Sequence, residues 1–77
     1  MSGQLPALTP KDVLRILQKE GFFVQRSSGS HFVLKHPDRP RLRVTLPVHN
    51  RDLKKGTLRS ILDQSGYTVQ ALQKLLD

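Results

Sequence analysis

Apolar positions along the chain follow two different periods. Val13, Leu14, Ile16 and Leu17 fall on one helical face, with Lys11, Arg15, Gln18 and Lys19 on the other. Thr9 is placed as an N-cap, Pro10 suits the first helical position, and Asp12 follows the cap by three residues as in a capping box. Leu8 and Val13 bracket this start like a hydrophobic staple, and Gly21 is placed to end the helix. Residues 1–7 read as a loose lead-in. The period then shortens to two. Phe22 to Arg26, His31 to His36 and Arg41 to Leu46 read as strands, separated by the turn-rich runs 27–30 and 37–40. In the second strand Phe32 and Leu34 point one way, and His31, Val33 and Lys35 the other. In the third, Leu42, Val44 and Leu46 face the core while Arg41, Arg43 and Thr45 face out.

The helical period returns after Pro47 and a polar loop. A second helix is predicted from about Leu53 to Ser65, with Leu58, Ile61 and Leu62 as its core stripe and Gly66 as its stop. Thr68 caps a short third helix whose apolar side holds Val69, Leu72, Leu75 and Leu76. The order α-β-β-β-α-α predicts an α+β domain, a small three-stranded antiparallel sheet with helices on one face. Residues 1–77 are expected to form one domain. Phe22, Phe23 and Phe32 are assigned to the core, leaving Tyr67 as the exposed aromatic candidate.

Composition narrows the function. The 77 residues hold no cysteine, so a disulfide framework and a thiolate metal site are excluded. The apolar runs are too short to span a membrane, and the first residues do not read as a signal peptide, so a cytoplasmic location is the expectation. The net charge is +7. Nine of the Lys and Arg residues lie from Arg26 to Arg59, with only Asp38 and Asp52 among them, so this stretch carries the whole surplus. A concentrated positive field points to a polyanion, most commonly nucleic acid.

His31 is the first candidate for chemistry, because it leaves the Gly29-Ser30 turn on the polar face of its strand, where Lys35 and arginines of the next strand are expected beside it. Histidine exchanges a proton near neutrality, and RNA cleavage needs a 2′-OH to lose one before it attacks the adjacent phosphate. Nearby cations would stabilise the charge growing on that phosphate. Taken alone, an outward histidine on a strand is an ordinary surface residue. His49 stands at the sheet's rim as a second acid/base group, a phosphate contact or a plain loop residue. His36 reads as structural or incidental. The spacing of the three histidines matches no ligand motif, so no metal is expected. Lys54, Lys55, Gly56 and Thr57 open the second helix, where free N–H groups and the helix dipole favour a phosphate. The alternative is that both lysines are simply solvated.

Several segments in order carry a family resemblance: Glu20-Gly21-Phe22, Gly29-Ser30-His31, His36-Pro37-Asp38, Leu46-Pro47-Val48-His49, and the run from Leu53 through Lys54-Lys55-Gly56-Thr57-Leu58-Arg59-Ser60 to Leu62. Together they resemble the HicA toxins of HicA–HicB toxin–antitoxin pairs, over about residues 8–76. The resemblance implies a fold similar to a double-stranded-RNA-binding domain, metal-independent cleavage of mRNA, no cofactor, and a HicB-type antitoxin that covers the active site. The family's catalytic histidine corresponds to His31. Ser28 stands where the family often has lysine, and Phe32 where it often has a second histidine or polar residue. The expected reading is an endoribonuclease toxin, with His31 as general base or acid and Lys35, Arg41, Arg43, Lys54, Lys55 and Thr57 on the RNA. A non-catalytic double-stranded-RNA-binding module is the alternative. A domain that offers its basic face to an acidic protein is the third.

Overall fold

The computed structural model describes residues 5–76. Its elements run α1 (Pro10–Lys19), β1 (Phe23–Ser27), β2 (His31–His36), β3 (Arg39–Pro47), α2 (Lys55–Ser65) and α3 (Val69–Leu75). The three strands form one antiparallel sheet in the order β1-β2-β3, so the predicted α+β architecture is the one observed. Residues 1–4 of the expected lead-in lie outside the described residues; residues 5–9 precede α1 without regular structure, and Leu5 packs on the core.

The start of α1 follows its sequence signals. The Asp12 N–H donates to the Thr9 hydroxyl at 3.2 Å, and the Thr9 N–H donates to the Asp12 carboxylate at 3.0 Å. Two orphan donors of the first turn are satisfied at once. Leu8 and Val13, the expected staple pair, are both buried. At the other end the Gly21 N–H reaches the Gln18 carbonyl and the Phe22 N–H reaches the Leu17 carbonyl, a Schellman closure with Gly21 at φ +99°. Helix α2 ends the same way, with Gly66 at φ +83° and the Tyr67 N–H bonded to the Leu62 carbonyl.

Closing α1 in this way decides where the sheet begins. Phe22 belongs to the helix stop and is buried beneath it, so β1 starts one residue later than predicted, at Phe23. Phe23 then takes the opposite side of the strand and is exposed, which corrects its assignment to the core. The β2–β3 turn is also tighter than predicted, two residues rather than four, and β3 extends from Arg39 to Pro47. Helix α2 begins at Lys55 rather than Leu53. The Leu53 N–H is already used by the Leu8 carbonyl, at 2.7 Å, and its side chain is buried as an anchor. Leu76, placed on the apolar side of α3, is exposed beyond its end.

Alternation along β2 and β3 sends Leu34, Val44 and Leu46 to the helix side, each essentially without solvent exposure. Val13, Ile16 and Leu17 of α1, Leu58, Ile61 and Leu62 of α2, and Leu72 of α3 close over them in one cluster. Burial of side chains this size stabilises by about 1.5–3 kcal/mol each. His36 closes the hairpin end of the same layer and is 7% exposed. Its Nδ1 accepts the Asp38 N–H at 3.1 Å, so the neutral ring carries its proton on Nε2 and donates it to the Glu20 carbonyl, 2.9 Å away. Its ring also meets Phe22 edge-on, with centroids 5.0 Å apart. His36 is therefore a structural residue, one of the two readings its sequence left open.

Two predictions follow from these ends. A Cβ at Gly21 would stand 2.7 Å from His36 Nε2 on a backbone at φ +99°. Gly21→Ala should destabilise the chain by about 2 kcal/mol. Thermal unfolding should show this as a fall of roughly 10 °C in Tm. Secondly, the Thr9 N–H, and after it the Thr9 hydroxyl, hold the Asp12 carboxyl below its ordinary 3.8. A lowered folded value contributes stability above 3.8 that is lost as pH falls through the folded value. In urea unfolding, Asp12→Asn should cost stability at neutral pH and lose less than the intact chain when the pH drops below 3.8.

A two-histidine cleft beside a basic sheet face

His31 opens β2, and its cross-strand partner is Pro47 at the end of β3. Just beyond this pair the Val48 N–H donates to the Ser30 carbonyl at 2.9 Å. The bond closes the Ser30–His31 turn against the segment that leads to His49. Both histidines line one open cleft of about 640 Å³ between the rim of the sheet and α2. Thr45 and Pro47 form its sheet wall; Thr57, Ser60 and Gln64 form its helix wall. Gln64 fixes the helix there, because its side-chain oxygen accepts the Thr45 N–H at 2.9 Å and so occupies a donor that edge strand β3 would leave open.

The two rings are held differently. The Arg51 N–H donates to His49 Nδ1 at 3.1 Å. Neutral His49 therefore carries its proton on Nε2, and a second proton on Nδ1 would break this bond. His31 Nδ1 lies 3.0 Å from the Ser30 hydroxyl. A hydroxyl donates or accepts, so this bond persists whether Nδ1 is bare or protonated. His31 is the ring whose surroundings tolerate a change of protonation.

Lys54 and Thr57 of the predicted set line the cleft, as do Arg51 and Asp52, which sequence reasoning did not single out. Lys54 is the N-cap of α2 and makes no side-chain capping bond, and the first turn holds no acidic residue. Gly56 in that turn would meet no atom within 4 Å if it carried a Cβ, so packing does not call for glycine there. Such a start is unfavourable for a helix on its own account and leaves its N–H groups open toward the cleft mouth.

The remaining cations lie elsewhere. Lys35 pairs with Arg43 four residues along β2 from His31, so the arginines expected beside His31 stand at the hairpin end instead. The Lys35 ammonium bonds the Pro40 carbonyl at 2.7 Å. Arg41 and Lys55 are exposed and do not line the cleft. Arg15–Asp12 is the sole ion pair among the described residues, so none of the cations from Arg26 to Arg59 is neutralised that way. Tyr67, the exposed aromatic candidate, is half-buried instead. Its hydroxyl donates to Glu20 at 3.3 Å and its ring meets Phe22. Burial, and after it the Glu20 charge, push its phenol above the ordinary 10.0.

Fold and site thus define a small α+β domain with two histidines at the mouth of an uncapped helix, beside a basic sheet face. The family described as "HicA toxin of bacterial toxin-antitoxin" matches residues 10–67, three quarters of the chain. The chain belongs to the HicA toxin family, and a toxin of this kind has a cognate antitoxin as its partner. No curated protein matches the sequence. No helix among the described residues is long and apolar enough to cross a membrane.

The start of α2 yields a prediction that separates stability from binding. Lys54→Asp supplies an acidic N-cap and should stabilise the chain by about 1 kcal/mol. The same change should weaken binding to a polyanion such as a homopolymeric RNA. Thermal unfolding and filter binding on one preparation check both signs.

Proposed function

We propose that this HicA-family toxin is a metal-independent endoribonuclease that cleaves mRNA through His31. The observation that supports this most directly is the meeting of His31 and His49 in one cleft at the open N-terminus of α2. In this reading a phosphodiester lies at the cleft mouth. His31 Nε2 takes the proton of the adjacent 2′-OH, the 2′ oxygen bonds to phosphorus, and the bond to the 5′ oxygen breaks as that oxygen takes a proton from water, whose hydroxide the protonated His31 then neutralises. The products are a 2′,3′-cyclic phosphate and a 5′-hydroxyl. Ser30 steadies the His31 ring through the protonation change.

His49 serves as a hydrogen-bond donor, through Nε2–H, to the phosphate or leaving oxygen, because its Nδ1 is occupied by the Arg51 N–H. Lys54, Thr57 and the first N–H groups of α2 hold the phosphate oxygens, and Arg51 adds charge where negative charge grows. Lys55 at the helix start and Lys35, Arg41 and Arg43 at the far end of the sheet hold flanking phosphates. A HicB-type antitoxin that covers the cleft would silence all of this at once.

Cleavage by purified chains in chelator, with growth arrest on induction beside it, tests the reading. The intact chain should cut mRNA and leave 5′-hydroxyl ends. His31→Ala should fold normally and lose roughly a hundredfold or more in rate. His49→Gln keeps an N–H donor and should retain most of the rate, with the acid limb of the pH–rate profile unchanged, whereas His49→Ala should not. If His49→Gln is as inactive as His31→Ala, His49 carries a proton rather than a fixed hydrogen bond. If the intact chain binds RNA and leaves it whole, the chain is a binding module and the ribonuclease reading fails.

A further inference from the structure

The outer face of the sheet carries a second surface, which meets the cleft only at Thr45. One row across it reads Phe23, Lys35, Arg43 on β1, β2 and β3, and the next reads Arg26, Val33, Thr45. The helices cover the opposite face, and Phe23 is 45% exposed. Val33 beside it is 9% exposed yet stands outside the core cluster, so its cover comes from neighbours on the outer face. The two rows contain no acid, and Arg26, Lys35 and Arg43 form no ion pair among the described residues. Lys35 and Arg43 stand directly opposite each other, an arrangement that costs stability in the free chain.

We propose that this face binds single-stranded RNA, with a base stacked on Phe23 and backbone phosphates on Arg26, Lys35 and Arg43. It would hold the continuation of the strand whose reacting phosphate lies in the His31 cleft. The proposal rests on the ribonuclease reading above and adds the substrate class to it. An exposed aromatic ring among unopposed cations matches the two halves of a nucleotide, a flat base and an anionic phosphate. A duplex keeps its bases stacked on one another and has none to offer a lone ring, so the match is to a single strand. The placement also fits. Lys35, with Phe23 across from it, lies four residues along β2 from His31, about 13 Å at ~3.3 Å per residue. A strand leaving the cleft along β2 crosses Val33 and arrives at Phe23. An apolar side chain of a protein partner is the competing occupant, and the surrounding charge favours the polyanion.

The His31→Ala chain, chosen because its cleavage is expected to be slow, is titrated with a short single-stranded RNA carrying 2-aminopurine and with the same RNA as a duplex, over a salt series. The single strand should bind more tightly, with its 2-aminopurine fluorescence quenched. Adding Phe23→Ala should weaken binding about tenfold and restore the fluorescence. Phe23→Tyr should preserve both, and thermal unfolding should show both variants fully folded at the temperature of the titration, since Phe23 lies outside the core cluster. Lys35→Gln and Arg43→Gln should each lower the salt slope by about one. Unchanged RNA affinity in Phe23→Ala, or a preference for the duplex, overturns the proposal. So does a Phe23→Ala chain that loses only its capture of a co-expressed antitoxin, which would assign the face to protein. Failure of the intact chain to cut RNA, by contrast, bears on the ribonuclease reading and leaves these binding measurements standing.

Discussion

The register of β2 is the constraint on which the rest depends. It is the middle strand, bonded on both edges, and a slip of one residue would move Leu34 to the water and Lys35 into the core. Burial of one leucine is worth about 1.5–3 kcal/mol, so the slip is strongly opposed by Leu34 alone. The strand is also pinned at both ends. His36 is bonded to the Glu20 carbonyl and packed on Phe22 at one end, and the Ser30 carbonyl takes the Val48 N–H at the other. The first pin joins β2 to the close of α1. The second brings the segment carrying His49 up to the turn carrying His31. The same register that fills the core therefore assembles the cleft.

Several features make little sense as choices for stability. Helix α2 starts with lysines and without a capping side chain, Lys35 opposes Arg43 across the sheet, and Phe23 is left in water. Each is small, on the order of 0.2–1 kcal/mol for an opposed pair and about 1 kcal/mol for a missing cap. They are tolerable because the core terms are larger and because the buried polar side chains are satisfied: among the described residues no buried side-chain nitrogen or oxygen lacks a partner. The deficits lie on the outer face and at the cleft, not in the core. Electrostatic deficits grouped around an open surface are what an anionic ligand would relieve on binding.

Much of this was legible in the sequence because the signals are local. The Thr9–Asp12 box, the glycine stops and the alternation through β2 and β3 each need only a few neighbouring residues, and they fixed the element order and which residues share a face. His31 and His49 could be singled out individually, and their meeting follows from a hairpin that brings residues 30 and 48 together. What local signals could not give was the count of residues across the hairpin. The turn is two residues long, and β3 carries an irregularity next to Pro40, so Arg43 meets Lys35 while His31 meets Pro47. In either register the first residue of β2 meets the end of β3, so Arg41 and Arg43 belong to the closed end of the hairpin, and Arg51 and Lys54 are the cations at the cleft. Phe23 was misread for another reason. Adjacent phenylalanines cannot both face inward on one strand, and the strict alternation Phe22-in, Phe23-out was overridden by their hydrophobicity. Leu53 was misread because a leucine before a helical stripe has the same local pattern whether it belongs to the helix or anchors the loop before it.

The parity of the central strand also separates what folds the molecule from what its surface can do. Even positions of β2 are sequestered: Leu34 in the core, Phe32 against it, His36 in the hydrogen bonds that close α1. The odd positions His31, Val33 and Lys35 stand on the outer face, and of these only Val33 is buried. A change at His31 or Lys35 therefore touches little that holds the chain together, while a change at Leu34 would dismantle the site along with the core. His36 and His31 show the consequence most clearly. They are the same residue type at the two ends of one strand, five positions apart and so on opposite faces. One is fixed in a single tautomer by two backbone bonds. The other is exposed, beside a hydroxyl that accommodates either protonation state. Position in the register, rather than residue type, decides which histidine is available for chemistry.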